Sequence, residues 1–121
     1  MGMTVLTIGS WNWRDDLSLY RELNRIHSSS GISLLIHGGY PVGVDDMADR
    51  WCHANGVKVD KHLPNRREYG REAESVRDSE MLQLKPDVVL AFERFRSEET
   101  RRLLDQATRA GIKVMLETEE S

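Results

Sequence analysis

The stretch LLIHGGYPVGVDD, residues 34–46, places a run of apolar residues directly before two adjacent glycines. The run predicts a buried strand, and the acidic pair Asp45–Asp46 predicts the start of a helix. Glycine loses more conformational freedom on folding than any other residue, so it is costly at the end of a strand. Gly38 and Gly39 therefore indicate a place where some group approaches the backbone so closely that side chains are excluded.

The same alternation of strand and helix continues along the whole chain. Hydrophobic patterns predict five strands separated by four helices. This arrangement is typical of an α/β, Rossmann-like three-layer sandwich, with a five-stranded parallel sheet in the order 3-2-1-4-5. We expect one domain over residues 1–121, with 117–121 a frayed acidic tail. The predicted strands are 3–8, 32–37, 57–63, 87–92 and 112–116, and the predicted helices are 15–28, 44–55, 67–84 and 98–110.

Composition limits the classes of protein to which this chain can belong. The chain has 121 residues, 39% of them hydrophobic and 31% charged, with a net charge of -3, which fits a globular domain and not a partner of nucleic-acid polymers or anionic membranes. The single cysteine, Cys52, excludes an intramolecular disulfide, and a cytoplasmic location is expected because no signal peptide or long apolar run is present. The four histidines show no metal-ligand spacing, so no metal or other cofactor is expected.

Ligands of parallel sheets bind beyond the carboxyl ends of the strands, which directs attention to the residues there. Gly38 and Gly39 could expose backbone N–H groups to an anion, close to the start of the following helix. Asp45 could cap that helix or accept hydrogen bonds from a ribose hydroxyl. The alternative is a tight turn with ordinary capping acids. His37, just before the turn, either contacts a ligand or is satisfied within the protein.

Four segments together resemble the SLOG superfamily, and within it the small single-domain proteins related to YspA and YpsA. They are Gly9-Ser10, HGGYPVGVDDMADRW, LPNRREYGREAESVRDSEML and PDVVLAF, and the resemblance extends from about Thr4 to Leu116. It implies a Rossmann-like fold that binds a nucleotide or a nucleotide-derived small molecule, as sensor or carrier. The positions that match the family's ligand-binding motifs are Gly9, Ser10, Gly38, Gly39, Gly43, Asp45, Arg77 and Thr100.

The sequence also departs from the family pattern. Trp11 stands where the family has arginine, and Tyr40-Pro41-Val42 is inserted into the second loop. The glycine loop usual after the fourth strand is replaced by ERFRSEET, in which Arg94 and Arg96 could supply positive charge through side chains instead of backbone amides. The glycine motif of the related phosphoribohydrolases is absent, so catalysis is not expected.

Several alternatives remain open. Trp11, Trp13 and Tyr40 could stack on a base, or Trp13 could pack against the first helix while Trp11 covers a pocket that has lost its ligand. The rival functions are a nucleoside or nucleotide hydrolase, a protein that sequesters a signalling nucleotide, and a ligand-free interaction protein that uses Trp11, Tyr40 and Phe95. Alternating charges on the third and fourth helices, together with the resemblance, predict a homodimer.

Overall fold

The structure is a computed structural model that describes residues 2–119. Its five strands form one parallel sheet in the order β3-β2-β1-β4-β5, which confirms the predicted fold and strand order. The strands are β1 Met3–Gly9, β2 Ile32–His37, β3 Lys58–Lys61, β4 Val88–Arg94 and β5 Lys113–Glu119. The helices are α1 Asp16–Ser29, α2 Val44–Asn55, α3 Arg66–Tyr69, α4 Ala73–Gln83 and α5 Glu98–Arg109, with a 3-10 turn at Gly70–Glu72.

Alternating residues of the central strands enter two separate cores, because successive side chains of a strand point to opposite faces. Val5, Leu35 and Leu90 pack with α1 and α2 in the first core, which also contains Trp13 and Trp51. The second core joins Leu6, Ile36 and Val89 to Met81 of α4 and to Leu103, Leu104 and Ala107 of α5. Helices therefore cover both faces of the sheet.

The predicted helix 67–84 is interrupted. It divides into α3, the 3-10 turn and α4, and Gly70 at the break has a positive φ of 55°. Such a backbone conformation is accessible to glycine and strained for other residues. The chain consequently turns between α3 and α4. Of these two helices, only α4 contributes side chains to the second core.

The predicted frayed tail is wrong for residues 117–119. β5 continues through Glu119, and its last three residues pair with Phe92, Glu93 and Arg94 of β4. Backbone pairing with the most buried strand explains why these residues extend the sheet although two of the three are acidic. Residues 120 and 121 lie outside the described part of the chain.

Within residues 2–119, no helix is long and apolar enough to cross a membrane.

Candidate functional site

A cleft of about 840 Å³ lies at the carboxyl edge of the sheet. The loops after β1, β2, β3 and β4 form its walls together with parts of α4 and α5. Eleven of the twelve residues predicted from the sequence line it, namely Gly9, Ser10, Trp11, Gly38, Gly39, Tyr40, Asp45, Arg77, Arg94, Arg96 and Thr100. The fold thus brings together residues that are up to 91 positions apart, from Gly9 to Thr100.

The twelfth residue, Gly43, serves packing. A Cβ on Gly43 would lie 2.5 Å from the carbonyl oxygens of Ser10 and Trp11, and its φ of 79° also favours glycine. Gly9 is similar, since a Cβ there would clash with the Phe92 carbonyl oxygen. Close contact between the loops after β1, β2 and β4 therefore accounts for both glycines.

The glycine turn, residues 38–40, also meets the protein itself. A Cβ on Gly38 would lie 2.5 Å from Nη1 of Arg77, and one on Gly39 would overlap the Leu63 side chain. Gly39 in addition has a φ of 80°. The groups that exclude side chains from this turn are thus an arginine of α4 and a leucine of the β3–α3 loop.

Two backbone donors of the glycine turn, the N–H groups of Gly39 and Tyr40, are already occupied. The Gly39 N–H donates to Nδ1 of His37 at 3.0 Å, and the Tyr40 N–H donates to Oδ2 of Asp45 at 3.1 Å. His37 is buried and its Nε2 lies 2.8 Å from Oδ1 of Asp49, so both ring nitrogens have partners. In this conformation these two amides do not face an incoming anion.

Ser10 joins two loops. Its hydroxyl accepts from the Arg94 N–H at 2.9 Å and donates to the Arg94 carbonyl oxygen at 3.3 Å. Its own N–H donates to the Phe92 carbonyl oxygen at 3.0 Å. This side chain therefore fixes the position of the β4–α5 loop, which carries Phe95 and Arg96 into the cleft.

Arg77 is the centre of an ionic cluster in the wall of the cleft. Its Nε donates to Asp78 at 2.8 Å, its Nη2 to Glu99 at 3.1 Å, and its Nη1 to the carbonyl oxygens of Gly38 and His62 at 3.0 and 3.4 Å. The side chain is largely buried. A single guanidinium thus connects α4, α5 and the loops after β2 and β3.

Burial raises the pKa values of two carboxyl groups near Arg77. It raises the pKa of Asp78 to about 7, with a further increase from Glu99, although Arg77 acts in the opposite direction. It also raises the pKa of Asp45, against the opposing effects of the Tyr40 N–H, His37 and Arg77. The pKa values of Asp45 and Asp78 are thus both raised although Arg77 is near, because burial disfavours an ionised carboxylate more than the guanidinium favours it.

Aromatic side chains surround the mouth of the cleft. Trp11 is 63% exposed, and Tyr40 and Phe95 are also largely exposed. Phe95 has a positive φ of 62°, an uncommon conformation for a bulky residue, and its ring lies 5.1 Å from the Arg94 guanidinium carbon. Trp13, by contrast, is buried against Phe92.

The two arginines of the β4–α5 loop differ in their freedom. Nε of Arg94 lies 3.8 Å from Glu119, and most of its side chain is covered. Arg96 is 64% exposed and pairs with Glu98, which is also exposed. Arg96 is therefore the more available cation for a ligand, since an exposed ion pair costs little to break.

Thr100 contributes structure at the start of α5. It is buried, and its N–H donates to the Ser97 hydroxyl at 3.3 Å, a helix-capping contact.

Other residues that line the cleft were not among the predicted site residues. Glu99 and Leu63 are two examples. Glu99 belongs to an ordinary acidic first turn, and Leu63 is a lone apolar residue in a loop, so neither has a local sequence signal.

Among residues 2–119, no group of three or more His, Cys, Asp or Glu side chains is arranged to hold a metal ion.

Similarities to known proteins agree with this architecture. The sequence profile of the YspA, cpYpsA-related SLOG family matches residues 3–69. The Gene 61 protein of Mycobacterium phage D29 is 34% identical over 117 residues, covering 92% of this chain and 93% of that protein. The structure of the Moco carrier protein from Chlamydomonas reinhardtii matches with a TM-score of 0.71 at 20% identity, covering 98% of this chain and 78% of that chain. This last likeness shows the shared fold.

Proposed function

Because the chain belongs to the YspA, cpYpsA-related SLOG family, we propose that its cleft binds a nucleotide or a nucleotide-derived small molecule. The protein acts as a sensor or carrier in the cytoplasm rather than as an enzyme. The observation that carries this proposal is the convergence of the predicted site residues on one cleft at the carboxyl edge of the sheet. Its volume of about 840 Å³ lies within the range usual for small-molecule sites, roughly 300–1,000 Å³.

The chemistry of the cleft suits a ligand with a flat ring and an anionic group. The exposed rings of Trp11, Tyr40 and Phe95 provide surfaces on which a base can stack. Arg96, with Arg94 behind it, provides the positive charge for phosphate. We place the anionic group near Arg96 because the N–H groups of Gly39 and Tyr40 are engaged within the protein.

Binding without catalysis fits the state of the carboxyl groups. Glu99 is paired with Arg77, and Asp45 accepts from the Tyr40 N–H. General acid–base catalysis requires carboxyl groups in hydrogen-bond reach of the substrate. Carboxyl groups that hold the walls of the cleft together favour a binding role over a hydrolase.

Two forms of the function are considered. The neighbour from Chlamydomonas reinhardtii is named as a carrier, and its fold extends over 98% of this chain. Sequestration of a signalling nucleotide is the second candidate. Slow ligand release with no chemical change would distinguish sequestration from the faster exchange expected of a sensor or carrier.

A thermal-shift panel tests the proposal. Nucleoside mono-, di- and triphosphates, cyclic nucleotides and ADP-ribose are each added at millimolar concentration. A ligand present at 100 times its dissociation constant stabilises the folded state by about 2.7 kcal/mol, which is a shift of several degrees for a domain of this size. The absence of a shift with every compound would contradict the proposal.

Matched variants connect any shift to the cleft. Trp11→Ala and Arg96→Ala should each reduce the ligand-induced shift, because they remove a stacking surface and a cation. The controls are Leu17→Ala, which removes a side chain that is 69% exposed outside the cleft, and Arg25→Ala on α1. Equal losses in variants and controls would place the ligand elsewhere.

A further inference from the structure

A chain of contacting polar side chains connects the outer surface of α2 to the glycine turn in the cleft. Nε2 of His53, a residue whose side chain is 78% exposed, lies 3.2 Å from Oδ2 of Asp49. The other oxygen of Asp49 lies 2.8 Å from Nε2 of the buried His37. Nδ1 of His37 in turn accepts the Gly39 N–H at 3.0 Å.

These contacts determine which tautomer His37 adopts. Since the Gly39 N–H donates to Nδ1, that nitrogen carries no proton, and Nε2 carries the proton that is donated to Asp49. A second proton on Nδ1 would turn the acceptor into a donor facing the Gly39 N–H. Two N–H groups that face each other repel, so the glycine turn would have to change conformation.

The charges around His37 come from several elements. Asp45, Asp49 and His53 lie on α2, Lys61 on β3, Arg77 on α4 and Glu99 on α5. Burial opposes ionisation of Asp49, but His37, Lys61 and His53 outweigh it and hold its pKa below the ordinary value. The carboxylate of Asp49, 2.8 Å from Nε2 of His37, is therefore placed to stabilise a positive charge on that ring.

The second amide of the turn depends on a titratable group as well. The Tyr40 N–H donates to Asp45, whose pKa is raised by burial. Two successive backbone donors are thus held by two side chains whose acceptor strength falls on protonation.

We propose that His37 is a proton-dependent positioning residue of the cleft. When Nδ1 gains a proton, His37 releases the Gly39 N–H, and that N–H becomes a donor for an anionic group of the ligand. Binding of an anion in the cleft is thereby coupled to proton uptake. The coupling to a ligand rests on the proposed function, whereas the release of the turn does not.

Amide NMR of the ligand-free protein tests the release directly. The Gly39 and Tyr40 signals are followed between pH 8 and about pH 5.5, the range over which histidine ordinarily changes charge. The Ile32 N–H, which donates to Nδ1 of His27 at 3.0 Å, serves as an internal reference for a histidine outside the cleft. We expect the Gly39 amide proton to move upfield or broaden as pH falls, because it loses its hydrogen bond to His37, and its protection from hydrogen exchange, relative to the intrinsic rate at each pH, to decrease.

Variants separate this role from simple structural support. His37→Asn keeps an oxygen acceptor near the position of Nδ1 but does not titrate, so it should remove the pH response of Gly39 and preserve that of Ile32. Asp49→Asn removes the charge that stabilises the imidazolium, so it should move the Gly39 transition to lower pH. If His37→Asn does not fold, the pH of the Gly39 transition in Asp49→Asn still tests the proposal.

Sulfate is the probe for the anion, because its charge is constant across this pH range. Its affinity, read from the Gly39 and Tyr40 amides, should be about fivefold or more tighter at pH 5.5 than at pH 8 in the wild type and nearly independent of pH in His37→Asn. A Gly39 amide that does not respond to pH, or that responds equally in His37→Asn, overturns the release. Sulfate affinity that does not change with pH overturns the coupling, while the nucleotide panel at pH 8 still reports separately on the proposed function.

Discussion

The Arg77 guanidinium lies directly against Gly38. Its Nη1 donates to the Gly38 carbonyl oxygen at 3.0 Å and would be 2.5 Å from a Cβ placed on that residue. The same guanidinium holds Asp78 and Glu99, so the absence of a side chain at Gly38 allows an ionic cluster to form the wall of the cleft. This relationship gives a direct test of why the turn contains glycine.

We expect Gly38→Ala to destabilise the protein by about 1–3 kcal/mol, because the guanidinium must move away from its partners. The loss should be smaller when Arg77→Met is already present, since the group that clashes has gone. Urea denaturation of the two single variants and the double variant measures this coupling. Additive losses would show that Arg77 is not what requires glycine at this position.

Arg77→Met itself should destabilise the protein by about 3–5 kcal/mol at pH 8, because removing one partner of a buried ion pair leaves charges uncompensated. The loss should be smaller at pH 5, because Asp78, whose pKa is raised to about 7, is then protonated and no longer leaves an uncompensated charge. Urea denaturation at both pH values provides the measurement. Arg25→Ala, on the exposed face of α1, is the control and should have little effect at either pH.

Asp78 should give stability a pH dependence of its own. Its pKa is raised from an ordinary value of 3.8 to about 7, so the folded protein holds this proton more tightly than the unfolded chain does. The resulting contribution to stability is complete below pH 3.8 and is lost as pH rises through about 7. The Asp78→Asn variant has no titratable group at this position, and its amide oxygen can still accept from Nε of Arg77.

The stability of the wild type relative to Asp78→Asn should therefore fall by on the order of 1–3 kcal/mol between pH 4 and pH 7.5. Because other carboxyl groups titrate in both proteins, the difference between the two denaturation series isolates Asp78. Parallel pH profiles would contradict the raised pKa.

The fold could be predicted because its signals are local. Apolar runs such as DVVLAF, residues 87–92, mark buried strands, and alternation with helices leaves few topologies. The break at Gly70 was missed because an isolated glycine in a helical pattern is often tolerated. The extension of β5 to Glu119 was missed because pairing with β4 outweighs the acidic composition of the segment.

The site was predictable in location but not in detail. Loops at the carboxyl edge of a parallel sheet necessarily converge, so residues such as Ser10 and Tyr40 were expected near one another. Their hydrogen bonds depend on side-chain positions that spacing does not specify. Pairing of Arg77 with Glu99, 22 positions away, arises only when α4 packs beside α5. The protein groups that lie against Gly38 and Gly39 could not be predicted for the same reason, because Arg77 and Leu63 belong to distant segments.

Self-association remains a prediction that the structure makes more specific. The stretches RREYGREAESVRDSE and RSEETRRLLDQATR carry mixed charges, and two copies could pair a basic stretch with an acidic one about a twofold axis. Arg94 is engaged with Glu119 of its own chain, whereas the exposed Arg96 could reach the neighbouring cleft. We therefore expect a dimer in which Arg96 of one subunit assists ligand binding by the other.

Sedimentation velocity over a range of protein concentrations should show this dimer, and higher salt should weaken it, because contacts between exposed charges are screened. The double variant Arg94→Ala/Arg96→Ala should lower both the dimer fraction and the affinity for a nucleotide identified by thermal shift. Ligand affinity should rise with dimer content in the wild type and stay unaffected by Arg25→Ala. A monomer at every concentration, with ligand binding intact, would rule out a contribution from the partner, and the stacking and charge of a single cleft would then have to account for the affinity.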